Sequence, residues 1–169
     1  TFSAAENQTA IGTVAASDAD GDTITYSISG SDITINSSSG VIAFASAPNY
    51  ETKSSYTATV TASDGTNSTT QAITVNVTDV SEAPTFTSSA TFNAAENQTA
   101  IGTVAASDSD GDSITFSISG SDITINSSTG VVAFASAPNY ETKSSYTATV
   151  TASDGTNSTT QGITVNVTD

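Results

Sequence analysis

The chain is a tandem duplication of one domain-sized segment. Residues 1–79 align with residues 91–169 at an offset of 90 without a gap. A repeat of this length is a domain and not a solenoid turn, because solenoid repeats span roughly 20–50 residues. We therefore expect one domain at 1–79, a linker at 80–90 that leads into the second copy, and a second domain at 91–169. Only seven aligned positions differ: Ser3/Asn93, Ala19/Ser109, Thr23/Ser113, Tyr26/Phe116, Ser39/Thr129, Ile42/Val132 and Ala72/Gly162.

The composition excludes several classes of chemistry. The chain has no cysteine, which rules out a disulfide framework, a thiolate nucleophile and a zinc–thiolate site. It has no histidine either, and so lacks the usual general base and the commonest transition-metal ligand. A nucleophilic triad of the usual kind cannot be built from these residues. A paired-carboxylate hydrolase survives on composition alone and must be judged by where the acids fall. Because the acids have an ordered metal interpretation, we expect the chain not to be an enzyme.

The charge is strongly one-sided. Seventeen acidic residues face two lysines, Lys53 and Lys143, which gives a formal net charge of −15. Nucleic acids and anionic membrane surfaces are therefore poor partners, and divalent cations are good ones. No apolar run approaches the ~20 residues of a membrane span, so we expect no membrane insertion by this segment.

Alternating apolar residues predict short strands. The pattern is clearest at 23–29, 55–63 and 71–78, where Ile, Val, Tyr and Ala alternate with Ser and Thr. Shorter candidate strands are 2–5, 10–16, 33–36 and 41–45, separated by turn signals such as Asp-Gly and Ser-Gly. Seven short strands per copy, with no helical periodicity, predict an all-β fold. We expect two tandem seven-stranded antiparallel Greek-key sandwiches of the immunoglobulin-like or cadherin-like type in an elongated array.

The acids fall at strand ends and in turns. On a sandwich such loops gather at the two poles. Glu6 and Glu51 are expected to meet Asp79 and Glu82 where the first copy ends, facing the Asp108 turn of the second copy.

Five motifs, in the same order as in a known family, then suggest an identity. Glu6–Asn7 resembles a Pro-Glu-Asn signature, and Asn49–Glu51 resembles an Asp-Tyr-Glu signature. Val75–Phe86 resembles the Asp-x-Asn-Asp-Asn-x-Pro-x-Phe linker between repeats. Ala106–Gly111 and Ala152–Gly155 resemble the Asp-x-Asp and Ala-x-Asp-x-Gly signatures. The family is that of the cadherin-like repeats, and the composition is similar to that of the bacterial branch found in surface adhesins.

The resemblance implies a cluster of two or three Ca²⁺ ions at the joint between the copies. Calcium takes 6–8 oxygen ligands, which carboxylates, amides and carbonyls supply without His or Cys. Seven carboxylates against three Ca²⁺ would leave the joint nearly neutral. The implied ligands are Glu6, Glu51, Asp79, Glu82, Asp108, Asp110 and Asp154.

Three further positions are candidate ligands that depart from the family pattern. Asn49 replaces an acid, Ser81 stands where the family linker has an Asn, and Asp112 lies one residue early. Six more acids would form half-joints whose partner repeats lie outside the sequence, and we expect weaker binding there. They are Asp18, Asp20 and Asp64 in the first copy and Glu96, Glu141 and Asp169 in the second.

Other conspicuous side chains have simpler interpretations. Asp32 and Asp122 are predicted to be Asx-turn residues without a ligand role. Tyr50 and Tyr140 are predicted to pack against the domain rather than to form a sugar platform.

These observations favour a calcium-rigidified extender of an extracellular or cell-surface adhesion protein, of bacterial origin. Its partners would be calcium, neighbouring repeats and another surface protein or polysaccharide. One alternative is a weak homophilic or carbohydrate-binding adhesion module. Another is an accessory module of a secreted polysaccharide-degrading enzyme. The absence of Trp argues against adhesion by insertion of an N-terminal Trp into a partner.

Overall fold

A computed structural model describes all 169 residues. The chain divides into two compact units, unit 1 at Thr1–Val80 and unit 2 at Ser81–Asp169. It contains no helix of the length and apolar character that a membrane crossing requires. The strands of unit 1 are β1 (Phe2–Ala5), β2 (Ala10–Thr13), β3 (Thr25–Ile28), β4 (Ile33–Ile35), β5 (Val41–Phe44), β6 (Ser55–Ser63) and β7 (Ser68–Thr78).

Unit 1 is a sandwich of two sheets. A four-stranded sheet has the order β1-β7-β6-β3, and a three-stranded sheet has the order β2-β5-β4. All pairs are antiparallel except β1 with β7, the first and last strands, which run parallel. The predicted seven-stranded sandwich is therefore correct for this unit.

The core of unit 1 lies between the two sheets. Ile33, Ile42 and Phe44 come from the three-stranded sheet and meet residues such as Val60 and Val75 of the other. These are apolar positions of the alternating pattern, and the residues between them are less buried. Each fully buried side chain of this size stabilises the fold by about 1.5–3 kcal/mol.

Unit 2 repeats this sandwich and adds two short strands. Its strands are β8 (Thr85–Phe86), β9 (Thr91–Ala95), β10 (Ala100–Thr103), β11 (Ala106–Ser107), β12 (Thr115–Ile118), β13 (Ile123–Ile125), β14 (Val131–Phe134), β15 (Ser145–Ser153) and β16 (Ser158–Thr168). Its four-stranded sheet has the order β12-β15-β16-β9, its three-stranded sheet has the order β10-β14-β13, and β8 pairs with β11.

Three predicted strands, at 10–16, 23–29 and 71–78, each differ in length by three residues from the observed β2, β3 and β7. The segment predicted at 10–16 ends as a strand at Thr13, after a register shift between Ala10 and Gly12. Beyond it, Val14 donates its N–H to the Gly40 carbonyl at 2.9 Å. Gly40 has a φ of +69°, and a Cβ there would collide with the Val14 carbonyl. The tight turn at Gly40 thus positions the segment that follows β2.

Candidate metal centres

Three acids meet at the C-terminal pole of unit 1. Carboxylate oxygens of Glu6, Glu51 and Asp79 lie within 4.8 Å of one another. Glu6 is only 2% exposed, although it is an acid. Its two oxygens accept hydrogen bonds from the N–H groups of Tyr50 and Val80, each at 2.9 Å. The backbone thus fixes one carboxylate, and two exposed ones lie beside it.

The parallel pairing of the first and last strands explains this meeting. In the register of β1 with β7, Ala5 lies opposite Thr78. The residues that follow them, Glu6 and Asp79, therefore leave the same end of the sheet. The Glu6 N–H also donates to the Thr78 carbonyl at 3.1 Å, which ties the two strand ends together.

Unit 2 forms a different acid cluster at its N-terminal pole. Carboxylate oxygens of Asp108, Asp110 and Asp112 lie within 4.8 Å of one another. One oxygen of Asp108 accepts the N–H groups of Asp110 at 3.0 Å and Asp112 at 3.3 Å. This turn, closed by Gly111 at a φ of +80°, points three acids toward one small volume.

Three carboxylate oxygens of unit 2 are buried without a hydrogen-bond partner. They are Oδ2 of Asp108, Oδ1 of Asp110 and Oδ2 of Asp154. The other oxygen of each of these acids accepts hydrogen bonds from backbone N–H groups. The donor to Asp110 is Glu82, and the donors to Asp154 are Thr156 and Asn157. A buried carboxylate oxygen without a donor is costly, and such groups need a partner. The residues present therefore fit a hard cation such as Ca²⁺.

Two acids in equivalent turns are held in the ionised form. Backbone hydrogen bonds from Asn67 and then Thr66 lower the pKa of Asp64 below its ordinary 3.8. In unit 2 the backbone hydrogen bond from Asn157 is the main cause that lowers the pKa of Asp154. Both groups are fully charged at neutral pH and available to a cation.

The acids expected to form half-joints behave differently at the two ends. Glu96, Glu141 and Asp169 come within 4.8 Å of one another at the C-terminal pole of unit 2. At the N-terminal pole of unit 1, Asp18 accepts the N–H groups of Asp20 and Asp22, as Asp108 does in unit 2. The acids of that turn nevertheless do not form such a group of three.

The three additional candidates make local hydrogen bonds. Asn49 donates to Glu51 at 2.9 Å and accepts the Thr52 N–H at 2.8 Å. Ser81 accepts two hydrogen bonds from the Asn157 amide, on its carbonyl and its hydroxyl, both at 3.0 Å. Asn157 is a residue that the sequence patterns missed, although it follows the Asp-Gly turn that they marked.

Two interpretations of other residues need correction. Asp32 and Asp122 were predicted to be Asx-turn residues, but each accepts a hydrogen bond from a lysine, Lys53 or Lys143, at 2.7 Å. The lysine ammonium groups also lie 4.1 Å from the ring centres of Tyr56 and Tyr146. A contact between residues 21 apart in the chain leaves no local sequence signal. The rings of Tyr50 and Tyr140 were expected to pack, but these residues are 37% and 41% exposed.

Both copies of the chain match the same known domain family. A cadherin-domain model matches residues 1–78 and again residues 90–168. The chain belongs to the cadherin family. Cadherin domains are extracellular, and tandem cadherin domains are typical of adhesion and extender segments. No curated protein matches the chain in a sequence comparison.

Solved cadherin structures share this architecture. Human protocadherin-24 EC1-2 in form II is 21% identical with a TM-score of 0.68, over 99% of this chain and 93% of that one. Mouse cadherin-23 EC22-24 is 23% identical with a TM-score of 0.63, over 99% of this chain and 63% of that one. Drosophila N-cadherin EC1-4 is 21% identical with a TM-score of 0.63, over 98% of this chain and 46% of that one. At these identities the likeness shows the fold.

Proposed function

We propose that this chain is a pair of calcium-stiffened extender repeats of a cell-surface or secreted bacterial adhesion protein. Calcium would bind where the first repeat passes into the second. Unit 1 would supply Glu6, Glu51 and Asp79, and unit 2 would supply Glu82, Asp108, Asp110 and Asp154. The observation that carries the proposal is the trio of buried carboxylate oxygens without donors in unit 2.

The donor set supports calcium over transition metals. All the candidate ligands are oxygens, and the chain has no histidine or cysteine. Calcium accepts carboxylates and carbonyls in irregular geometry, whereas zinc and copper favour nitrogen and sulfur. The cation would supply positive charge to carboxylates that the backbone already holds in place.

Chain connectivity supports ligands shared by the two repeats. Asp79 is the last acid of unit 1, and Glu82 lies only three residues later in unit 2. Without a cation, each close carboxylate pair repels by about 1 kcal/mol at 4 Å in water, and by more in a less polar surrounding. Metal that binds only the assembled joint stabilises it by about 2.7 kcal/mol at a hundredfold excess over Kd. Such a joint would be loose when empty and stiff when filled.

Calorimetric titration of Ca²⁺ into chelated protein tests this proposal directly. We expect two or three ions per chain at the strongest sites. Asp110→Asn should weaken binding by at least about tenfold, which corresponds to ~1.4 kcal/mol. Asp122→Asn is the matched control, because it removes the same charge from an acid paired with Lys143. Equal effects of the two variants would show nonspecific attraction to a negative chain, and absence of binding would exclude a calcium function.

Small-angle scattering with and without chelator tests the mechanical part of the proposal. We expect chelation to widen the distribution of particle dimensions while far-ultraviolet circular dichroism keeps its β signal. Calcium binding with identical scattering in both conditions would contradict the stiffening role and leave only a calcium-binding one.

A further inference from the structure

The two lysines of the chain stand at equivalent positions in the two units, and each is held by two contacts. Nζ of Lys53 lies 2.7 Å from Oδ2 of Asp32 and 4.1 Å from the centre of the Tyr56 ring. Lys143 repeats both distances with the equivalent residues of unit 2. Asp32 belongs to none of the groups of three acids that could hold a metal ion. This ion pair therefore has no part in the proposed calcium sites.

In unit 1 the ion pair borders an open cavity of about 280 Å³. Three segments meet around it, one just before β4, one just after β5 and one shortly before β6. Backbone hydrogen bonds hold these segments, because the Ala45 N–H donates to the Asp32 carbonyl at 2.8 Å and the Lys53 N–H to the Asn49 carbonyl at 3.0 Å. We call this space the lysine cavity; besides the ion pair and Tyr56, its wall contains Ser31, Ser46 and Thr52.

The wall of the lysine cavity offers both donors and acceptors of hydrogen bonds. An ammonium has three N–H donors and a carboxylate has two acceptor oxygens, and the ion pair uses only one of each. The side chains of Lys53 and Asp32 are 47% and 54% exposed, so the remaining groups are open to a ligand. A donor beside an acceptor matches two neighbouring hydroxyls of a sugar, because each hydroxyl can both donate and accept.

The charge of the chain disfavours ionic ligands in the lysine cavity. An anion would approach a chain of net charge −15, whose ammonium is already paired with a carboxylate. A cation would have to compete with Lys53 for the single carboxylate of Asp32. The ammonium also lies over the Tyr56 ring, which leaves less of that ring to a ligand that binds by stacking. The ligand class that fits best is uncharged and rich in hydroxyl groups.

The lysine side chain is ordered before any ligand arrives. A long flexible side chain normally loses rotamer entropy when a ligand fixes it, and this loss weakens binding. Here the carboxylate of Asp32 and the ring of Tyr56 already hold the ammonium of Lys53. The entropic cost of placing the donor beside the acceptor is therefore met within the folded unit.

We propose that the lysine cavity binds a neutral sugar through Lys53 and Asp32, and that Lys143 and Asp122 form the same site in unit 2. One sugar hydroxyl accepts a hydrogen bond from the ammonium, and its neighbour donates one to the carboxylate. Each site alone is weak, but sites that recur in every repeat of one chain hold a polysaccharide through avidity. The site contains none of the proposed calcium ligands, so it does not depend on calcium binding.

Selective ¹³C labelling of lysine in the full chain gives the test, because only Lys53 and Lys143 then contribute ε-methylene signals. Lys53→Arg assigns the two signals. The probes are methyl α-glucoside, methyl α-mannoside and methyl β-galactoside in chelator, which cover the equatorial and axial arrangements of neighbouring hydroxyls. We expect at least one probe to shift both signals saturably at millimolar concentration. Absence of a saturable shift with all three, or tighter binding of the charged methyl α-glucuronide, would overturn the proposal.

Asp32→Ala is the decisive variant, because it removes the acceptor and keeps Lys53 as the reporter. Binding at Lys53 should weaken by at least about tenfold, whereas Lys143 in the same molecule should respond as before. The Ile42 methyl resonance shows whether unit 1 stays folded, since the second copy has Val132 at that position. Equal responses of the two lysines in this variant would refute a site built on the ion pair.

Discussion

At the scale of single residues, the stability of this fold is most sensitive to substitution where the backbone is crowded. Gly40 and Gly30 both adopt positive φ angles, +69° and +86°, which side chains rarely accept. Their surroundings differ, because a Cβ at Gly40 would meet the Val14 carbonyl and one at Gly30 would meet nothing within 4 Å. Alanine substitutions at these two glycines therefore separate the cost of backbone strain from the cost of steric collision.

Gly40→Ala should destabilise unit 1 by about 3–5 kcal/mol, since it combines strain at positive φ with a collision that only a backbone shift relieves. Gly30→Ala should cost about 1–2 kcal/mol from strain alone. Urea unfolding followed through the Ile42 methyl resonance reports on unit 1, because the second copy has Val132 there. Equal losses of unfolding free energy in the two variants would show that the backbone at Val14 shifts at little cost to relieve the collision.

The turn at Asp64 should respond to acid. Because the folded-state pKa of Asp64 lies below 3.8, its contribution to stability is present above that pH and is lost as pH falls through the folded value. Carboxyl ¹³C titration of the metal-free chain should place the midpoints of Asp64 and Asp154 below 3.8. A midpoint at or above 3.8 would mean that the backbone hydrogen bonds do not persist in solution.

At the scale of elements, Glu6 links three parts of unit 1. It follows β1, and its side chain binds the N–H groups of Tyr50, in the loop before β6, and of Val80, just after β7. Glu96 of unit 2 accepts the corresponding N–H of Tyr140 at 3.0 Å. A buried carboxylate with two backbone donors is a structural residue even before any cation binds.

Glu6→Ala should destabilise unit 1 by about 2–3 kcal/mol in chelator, since it leaves two N–H groups without their charged acceptor. Glu51→Ala is the control, because Glu51 is exposed and its removal also relieves repulsion from Glu6 and Asp79. Thermal unfolding of both variants without metal measures the difference. A cost for Glu51→Ala as large as that for Glu6→Ala would contradict this assignment.

The sequence was most informative where periodicity and side-chain burial agree. The predicted strands at 2–5 and 55–63 are those observed, because one face of each packs on the core. The short β8–β11 pair was not predicted, since two residues carry no periodicity. Motif order grouped the acids by pole, but it could not show that the carboxylate of Glu6 is buried and bound by two backbone N–H groups. That depends on the register between strands far apart in the chain.

At the scale of the whole molecule, the most important property is the large negative net charge. A net charge of −15 with two lysines makes the empty chain repel itself. Monovalent salt screens this repulsion generally, over about 8–10 Å near physiological strength, whereas a bound divalent ion acts at one place. Screening by monovalent salt and binding of a divalent ion can therefore be distinguished by experiment.

Calcium at millimolar concentration should raise the melting temperature of chelated protein more than sodium chloride of equal ionic strength. The reason is that a site adds binding free energy to screening. Calorimetric melting in matched buffers measures the difference, and magnesium serves as a control for divalent charge without calcium's coordination number. Equal shifts for all three salts would indicate screening alone.

The parallel pairing of first and last strands also sets how each sandwich bears tension. When a chain is pulled by its ends, parallel neighbours β1 and β7 slide past each other, so their hydrogen bonds are loaded in shear together instead of opening one by one. Both units have this ladder, between β1 and β7 in unit 1 and between β9 and β16 in unit 2. Forced unfolding depends on the barrier and not on equilibrium stability. In optical-tweezer extension of the calcium-free chain, each unit should therefore rupture in one abrupt step instead of opening pair by pair.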